Sequence, residues 1–205
     1  MVWPGDNGHP AAYTQTQAAL QKLFPPHYRA TQRAIITAGG KQFTCDGLLQ
    51  VSPTEGYHLA IVSSFGVVTD LRVATNGDCT LLKVTPLFRE DWSRRYVARD
   101  LNRLFVAPSA LQPAGHLANG NLILQTAPDA AGVTAQYVFS PDGSRWLELN
   151  LSRAGKIFYR AVPGHFRKFS GVTAEIPTSF EVQAENYRLE LRTAELILPT
   201  TEVSP

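Results

Sequence analysis

Cysteine is scarce: Cys45 and Cys79 are the two in 205 residues. Two are too few for a disulfide framework, and a zinc site asks for about four Cys or His ligands at short spacings. A single bridge and two thiols buried as small hydrophobes both stay open. Long apolar runs are lacking too, since none reaches the roughly 20 residues of a membrane-spanning helix. A surplus of one charge is also missing: 19 Lys and Arg face 17 Asp and Glu, a formal net charge of +2. Nucleic acid asks for a clustered basic face, so no nucleic-acid partner is expected. Arg94, Arg95, Arg99 and Arg103 do gather, but Glu90, Asp91 and Asp100 stand among them, the pattern of a solvated helix face. Residues 1–8 have no basic n-region and no apolar h-region, so they do not read as a signal peptide. A cytosolic protein fits this, and so does one whose signal has been removed.

The catalytic signatures are missing as well. The sequence has no Gly-x-Ser-x-Gly elbow, no His-Glu-x-x-His, no Walker loop and no Gly-x-Gly-x-x-Gly. Its histidines, at positions 9, 27, 58, 116 and 165, have no partner at metal spacing and read as surface or internally satisfied groups. Asp142-Gly143 and Asn76-Gly77 are turn chemistry, because no alternating carboxylates surround them. No catalytic residue, metal or cofactor is expected, and the chain does not read as an enzyme.

What is present is a core's worth of apolar residues, 44% of the chain against 18% charged. This suits one globular domain over 11–198, between a flexible start at 1–10 and a tail at 199–205. Ala11 to Phe24 predicts a first helix, stopped by Pro25-Pro26. From Tyr28 the period falls to two. Phe43, Cys45, Gly47, Leu49 and Val51 alternate with polar residues, as do Tyr57, Leu59 and Ile61 and then Val67, Thr69, Leu71 and Val73. Gly39-Gly40, residues 53–56, residues 64–66 and Asn76-Gly77 turn one strand into the next. Asp91 to Phe105 then places Trp92, Val97, Leu101 and Leu104 at helical spacing, to face the sheet. A loop rich in Ala, Pro and Gly follows from Ala107 to Gly120, and six more strands run from Leu122 to Leu198. The predicted fold is mainly β (α+β): an antiparallel sheet of about eleven strands, curled into an incompletely closed barrel, with a helical lid. Cys45 and Cys79 fall on the second and fifth strands, roughly 14 Å apart in a simple meander, and a bridge needs Cα atoms within about 7 Å. Free thiols are therefore expected. The aromatics Tyr57, Trp92, Tyr137, Phe139, Phe158, Phe166, Phe169 and Phe180 either fill a solid core or line a cavity between sheet and helix.

The order helix, five strands, helical insertion, six strands resembles the bacterial lipoprotein-localisation factors of the LolA/LolB family. The likeness runs from Ala11 to Leu198. Two stretches carry it: Tyr57 to Val73, which contains Phe65-Gly66, and Ile176 to Val182 leading into the hairpin at Tyr187. Val97 to Pro108 is similar to the family's lid helix, and Thr31 to Phe43 to a related group of outer-membrane lipoproteins. The helical insertion is shorter than the family's, and no lipid-attachment cysteine precedes the domain. The resemblance implies a cavity for a lipid or the acyl chains of a lipoprotein, lined by Leu59, Ile61, Leu71, Trp92, Val97, Leu101, Tyr137, Phe139 and Phe158. It implies that Phe65 and Gly66, as in the LolB branch, form an apolar hook at a strand-to-strand tip. It implies a periplasmic protein anchored to the outer membrane in its precursor, with that membrane's inner leaflet and a periplasmic carrier protein as partners. The alternative is a non-catalytic protein-binding β domain of the cell envelope with a solid aromatic core.

Overall fold

The computed structural model describes residues 13, 14, 16, 27–52, 54–64, 66–86, 90–106, 110–168 and 175–198, with residue 95 described through its backbone alone. The expected flexible start at 1–10, the tail at 199–205, most of the first helix, Phe65 and Phe169 lie outside the described residues. Of that first helix Tyr13, Thr14 and Thr16 are described, and they are helical.

Twelve strands and one helix account for most of what is described. The strands are β1 (Tyr28–Ala38), β2 (Lys41–Ser52), β3 (Gly56–Ser63), β4 (Gly66–Val73), β5 (Cys79–Val84), β6 (Gln112–His116), β7 (Leu122–Gln125), β8 (Val133–Phe139), β9 (Trp146–Arg153), β10 (Lys156–Lys168), β11 (Glu175–Ala184) and β12 (Tyr187–Ile197). The helix, α1, spans residues 90–105 between β5 and β6. The hydrogen-bonded order is β5-β4-β3-β2-β1-β12-β11-β10-β9-β8-β7-β6, so the sheet is open, with β5 and β6 as its edges. The mainly β chain, the antiparallel pairing, the open sheet and the single mid-chain helix are as the sequence predicts. Twelve strands stand where about eleven are expected, because β6 lies inside the segment expected to be a loop. Pro113 and a register shift before Gly115 interrupt it. Proline lacks a ladder donor, and an edge strand is where a sheet tolerates it.

Two compact units divide the chain. One comprises residues 25–36, 42–106 and 191–205, and the other residues 1–24, 37–41 and 107–190. In the first, period-two alternation produces one buried face. Tyr57 pairs with Val73, Leu59 with Leu71 and Ile61 with Thr69 across β3 and β4. All six are buried, Leu71 and Thr69 completely. β2 adds Cys45, Gly47 and Leu49 to the buried set, whereas Phe43, expected to share their face, is exposed. Both cysteines are free, Cys45 buried and Cys79 half-buried.

α1 lies on this face. Its middle, Ser93–Ala98, is π-helical and its ends are α-helical. In a π turn the hydrogen bonds run from i to i+5, so residues five apart stack. Ser93 and Ala98 therefore take the buried side, while Trp92 and Val97 fall to its border and are half-buried. Leu101 and Leu104 are buried, as a regular helix predicts. The charged side is not all solvated either: Asp100 is buried, 3.4 Å from the Arg103 guanidinium, which is itself 15% exposed.

The second unit holds β6–β11 and the start of β12. Leu124 pairs with Tyr137, Tyr137 with Leu149, and Leu149 with Ala161, giving a buried row across four strands. Ile123 and Val138, which pair with each other on the opposite face, are buried too. Tyr13 donates a hydrogen bond to the Gly115 carbonyl at 2.9 Å, placing that helical residue against β6.

Candidate functional site

The candidate site is the buried face of the first unit on β1–β4, to which α1 is joined at β3 and β4. Three contacts join helix to sheet. The Tyr57 hydroxyl donates to the Ala98 carbonyl at 2.7 Å. The Thr69 and Ser93 hydroxyls stand 3.3 Å apart. The Arg94 guanidinium donates to the Cys79 carbonyl on β5. Burial pushes the Tyr57 phenol well above its ordinary range, so it stays a donor. It pushes the Cys45 thiol up to about 11 and raises Cys79 as well.

β1 contributes a row the sequence reading did not single out. Tyr28, Ala30, Gln32 and Ile36 are buried, with Arg29 and Arg33 exposed between them and Thr37 exposed after them. A Cβ at Gly47 would stand 3.4 Å from Leu59 Cδ1 and 3.9 Å from Gln32 Cβ. Gln32 and Leu59 thus flank Gly47 on one face. Arg33 turns the other way, to a salt bridge with Asp46 at 2.9 Å. The Tyr28 hydroxyl and the Gln32 amide nitrogen are buried without a hydrogen-bond partner. Burial holds the Tyr28 phenol far above its usual range, hence protonated. The signal was legible: Tyr28, Ala30, Gln32, Ala34 and Ile36 keep a period of two.

Of the residues implied to line a cavity, Leu59, Ile61, Leu71 and Leu101 are brought to this face and buried, Leu59 directly opposite Leu71. Trp92 and Val97 border it. Gly66 is exposed at the start of β4 with φ +100°, and Phe65 lies outside the described residues. Tyr137 and Phe139 belong to the second unit. There the Tyr137 and Trp146 rings stand 5.9 Å apart and the Trp146 and Phe180 rings 5.6 Å, within the range of packed aromatic pairs. Phe158 sits at the β10 register shift between Ile157 and Tyr159, half-buried, with the Arg153 guanidinium 5.7 Å over its ring.

The outer side of the first unit mixes polar groups with exposed Leu48. His58 Nε2 lies 2.6 Å from Asp70 Oδ1, so this histidine has a partner on the neighbouring strand. A surface depression of about 480 Å³ is lined by Gln50, Glu55, His58, Arg72, Asp78 and Thr80, among others. Its mixed charges do not suit an apolar chain. Among the described residues no three His, Cys, Asp or Glu side chains gather as metal ligands.

No protein-family model and no curated protein matches the sequence. Solved structures do match the fold. A LolA superfamily protein from Nitrosomonas europaea aligns with TM-score 0.64 at 10% identity, over 90% of this chain and 94% of its own. A putative outer membrane lipoprotein-sorting protein domain from Vibrio parahaemolyticus aligns with TM-score 0.63 at 9% identity, over 93% and 92%. A DUF1329 family protein from Desulfovibrio piger aligns with TM-score 0.63 at 13% identity, over 95% and 94%. At such identities the likeness is one of fold.

Proposed function

We propose that this chain holds a lipid, or the acyl chains of a lipoprotein, against the sheet face beneath α1 and carries or inserts it at the bacterial outer membrane. The observation that carries the reading is the make-up of that face. The buried residues of its rows on β1–β4 are apolar or neutral, and a helix joined by polar contacts to β3 and β4 lies on this face. An acyl chain gains about 0.8 kcal/mol per methylene moved from water to such surroundings. Leu59, Ile61, Leu71 and Leu101 supply the lining, Trp92 and Val97 its border, and Phe65-Gly66 the contact with lipid. The fold shared with a LolA superfamily protein and a lipoprotein-sorting domain supports the same reading. So placed, the protein works in the periplasm, anchored through its precursor's lipid, and receives cargo from a soluble carrier.

Native mass spectrometry of protein purified without detergent tests this. Adducts of acyl-lipid mass are expected, and stripped protein should refill from diacyl phospholipid or triacylated lipopeptide. Protein that stays bare through both steps overturns the proposal. One observation favours a second reading, a protein-binding envelope domain with a solid core: Tyr137, Trp146 and Phe180 pack ring against ring in the second unit. That reading predicts no adduct and a protein partner instead.

A further inference from the structure

Two hydrogen-bond donors are buried on the lining face with nothing to bind. The Tyr28 hydroxyl and the Gln32 amide nitrogen have no partner, and each residue is 3% exposed. A buried donor left unmade is expensive, and native proteins keep few of them. The neighbours along the strands are small: Ala30 stands between the two on β1, and Gly47, under Leu59, lies opposite Gln32. Resting on the carrier reading, we propose that Tyr28 and Gln32 are the polar anchor of the acyl site and bind carbonyl oxygens of ester- or amide-linked chains. The chemistry selects that class. A carbonyl accepts from either donor and carries no charge into the site. A free carboxylate needs a cation, and the arginines of β1 and β4 alternate away from this face, while Lys41 is exposed at the start of β2, six residues from Gly47. A bare hydrocarbon leaves both donors unmade. The two residues stand four apart on one strand, about 13 Å between Cα atoms. They therefore serve separate carbonyls, which suits a multiply acylated lipid better than a single-chain one.

The test compares linkages in the full chain. Affinities are measured for a short-chain diester phospholipid, its diether analogue of equal chain length, and a triacylated lipopeptide, on wild type, Tyr28→Phe and Gln32→Met. Wild type should favour the diester over the diether by about a hundredfold, about tenfold for each of two buried hydrogen bonds. Each variant should lose about tenfold of that preference while holding the diether as well as wild type does. Without ligand both variants should melt no lower than wild type, since each removes a lone buried donor. A loss of affinity in the variants that appears with lipopeptide alone identifies an acylated protein as the source, and one that appears with diester phospholipid alone identifies a membrane lipid. Affinities for diester and lipopeptide that neither variant changes overturn the anchor and leave the carrier reading standing. Failure of wild type to bind any of the three ligands removes both.

Discussion

At Gly56 the backbone turns with φ +88°, and a Cβ there would overlap the Val73 carbonyl oxygen and crowd Ala74. No side chain relieves that, because the obstructing atoms are backbone. Gly56→Ala should cost about 3 kcal/mol in a urea titration, combining left-handed strain with the clash. Gly66 is the control: its φ is +100° but nothing lies within 4 Å of its missing Cβ. Gly66→Ala should therefore cost only the strain, about 1 kcal/mol. Cys45 offers a test by pH. Its thiol is raised from 9.0 to about 11, chiefly by burial and secondarily by Asp46. A raised folded value means the neutral form is favoured in the fold, so the contribution is whole below pH 9 and is lost as pH rises towards 11. The stability difference between wild type and Cys45→Ala should shrink across that window and stay flat between pH 6 and 8.

At the scale of elements, α1 is held by the 2.7 Å bond from Tyr57 to the Ala98 carbonyl. Tyr57→Phe keeps the ring and strips the hydroxyl, leaving that carbonyl unmade. A loss of about 1–2 kcal/mol is expected. Amide exchange should speed up in α1 more than in β8 or β9, and equal acceleration everywhere would show that the bond does not hold the helix. The strands were largely legible in the sequence, and where they were not the reason is local. β3, β4, β7 and β8 alternate or end at strong turns, and their limits fall where the pattern puts them. β6 was hidden because Pro113 and Gly115 read as loop residues, and at an edge half of the backbone groups need no partner. The register of α1 was hidden because a period of 3.6 assumes α geometry, whereas the turn over Ser93–Ala98 is wider and exchanges Trp92 and Val97 for Ser93 and Ala98. Tyr28 and Gln32 were legible as a period-two row, but a strand pattern does not say which buried polar group lacks a partner.

For the molecule as a whole the proposed carrier role raises the question of how cargo would leave. A sixteen-carbon chain moved out of water gains about 12 kcal/mol, which would make release into solvent too slow for a carrier. The bilayer offers the same gain, so moving between two dry places is nearly balanced and the barrier is the aqueous step between them. A carrier that touches the membrane removes that step. In the proposed mechanism Phe65, beside exposed Ser64 and Gly66, makes the touch. Phe65→Glu should then leave the melting temperature close to wild type, because surface substitutions stay within about 0.5 kcal/mol. Affinity for a soluble short-chain lipid should hold as well, since the lining under α1 is unaltered. Liposome flotation and the rate of cargo transfer should both fall sharply, because a carboxylate must be desolvated to enter lipid. A collapse in melting temperature would assign Phe65 to a core and end its role as a hook. Normal melting with normal transfer would take Phe65 out of the mechanism, and with it the residue-level tie to the LolB branch.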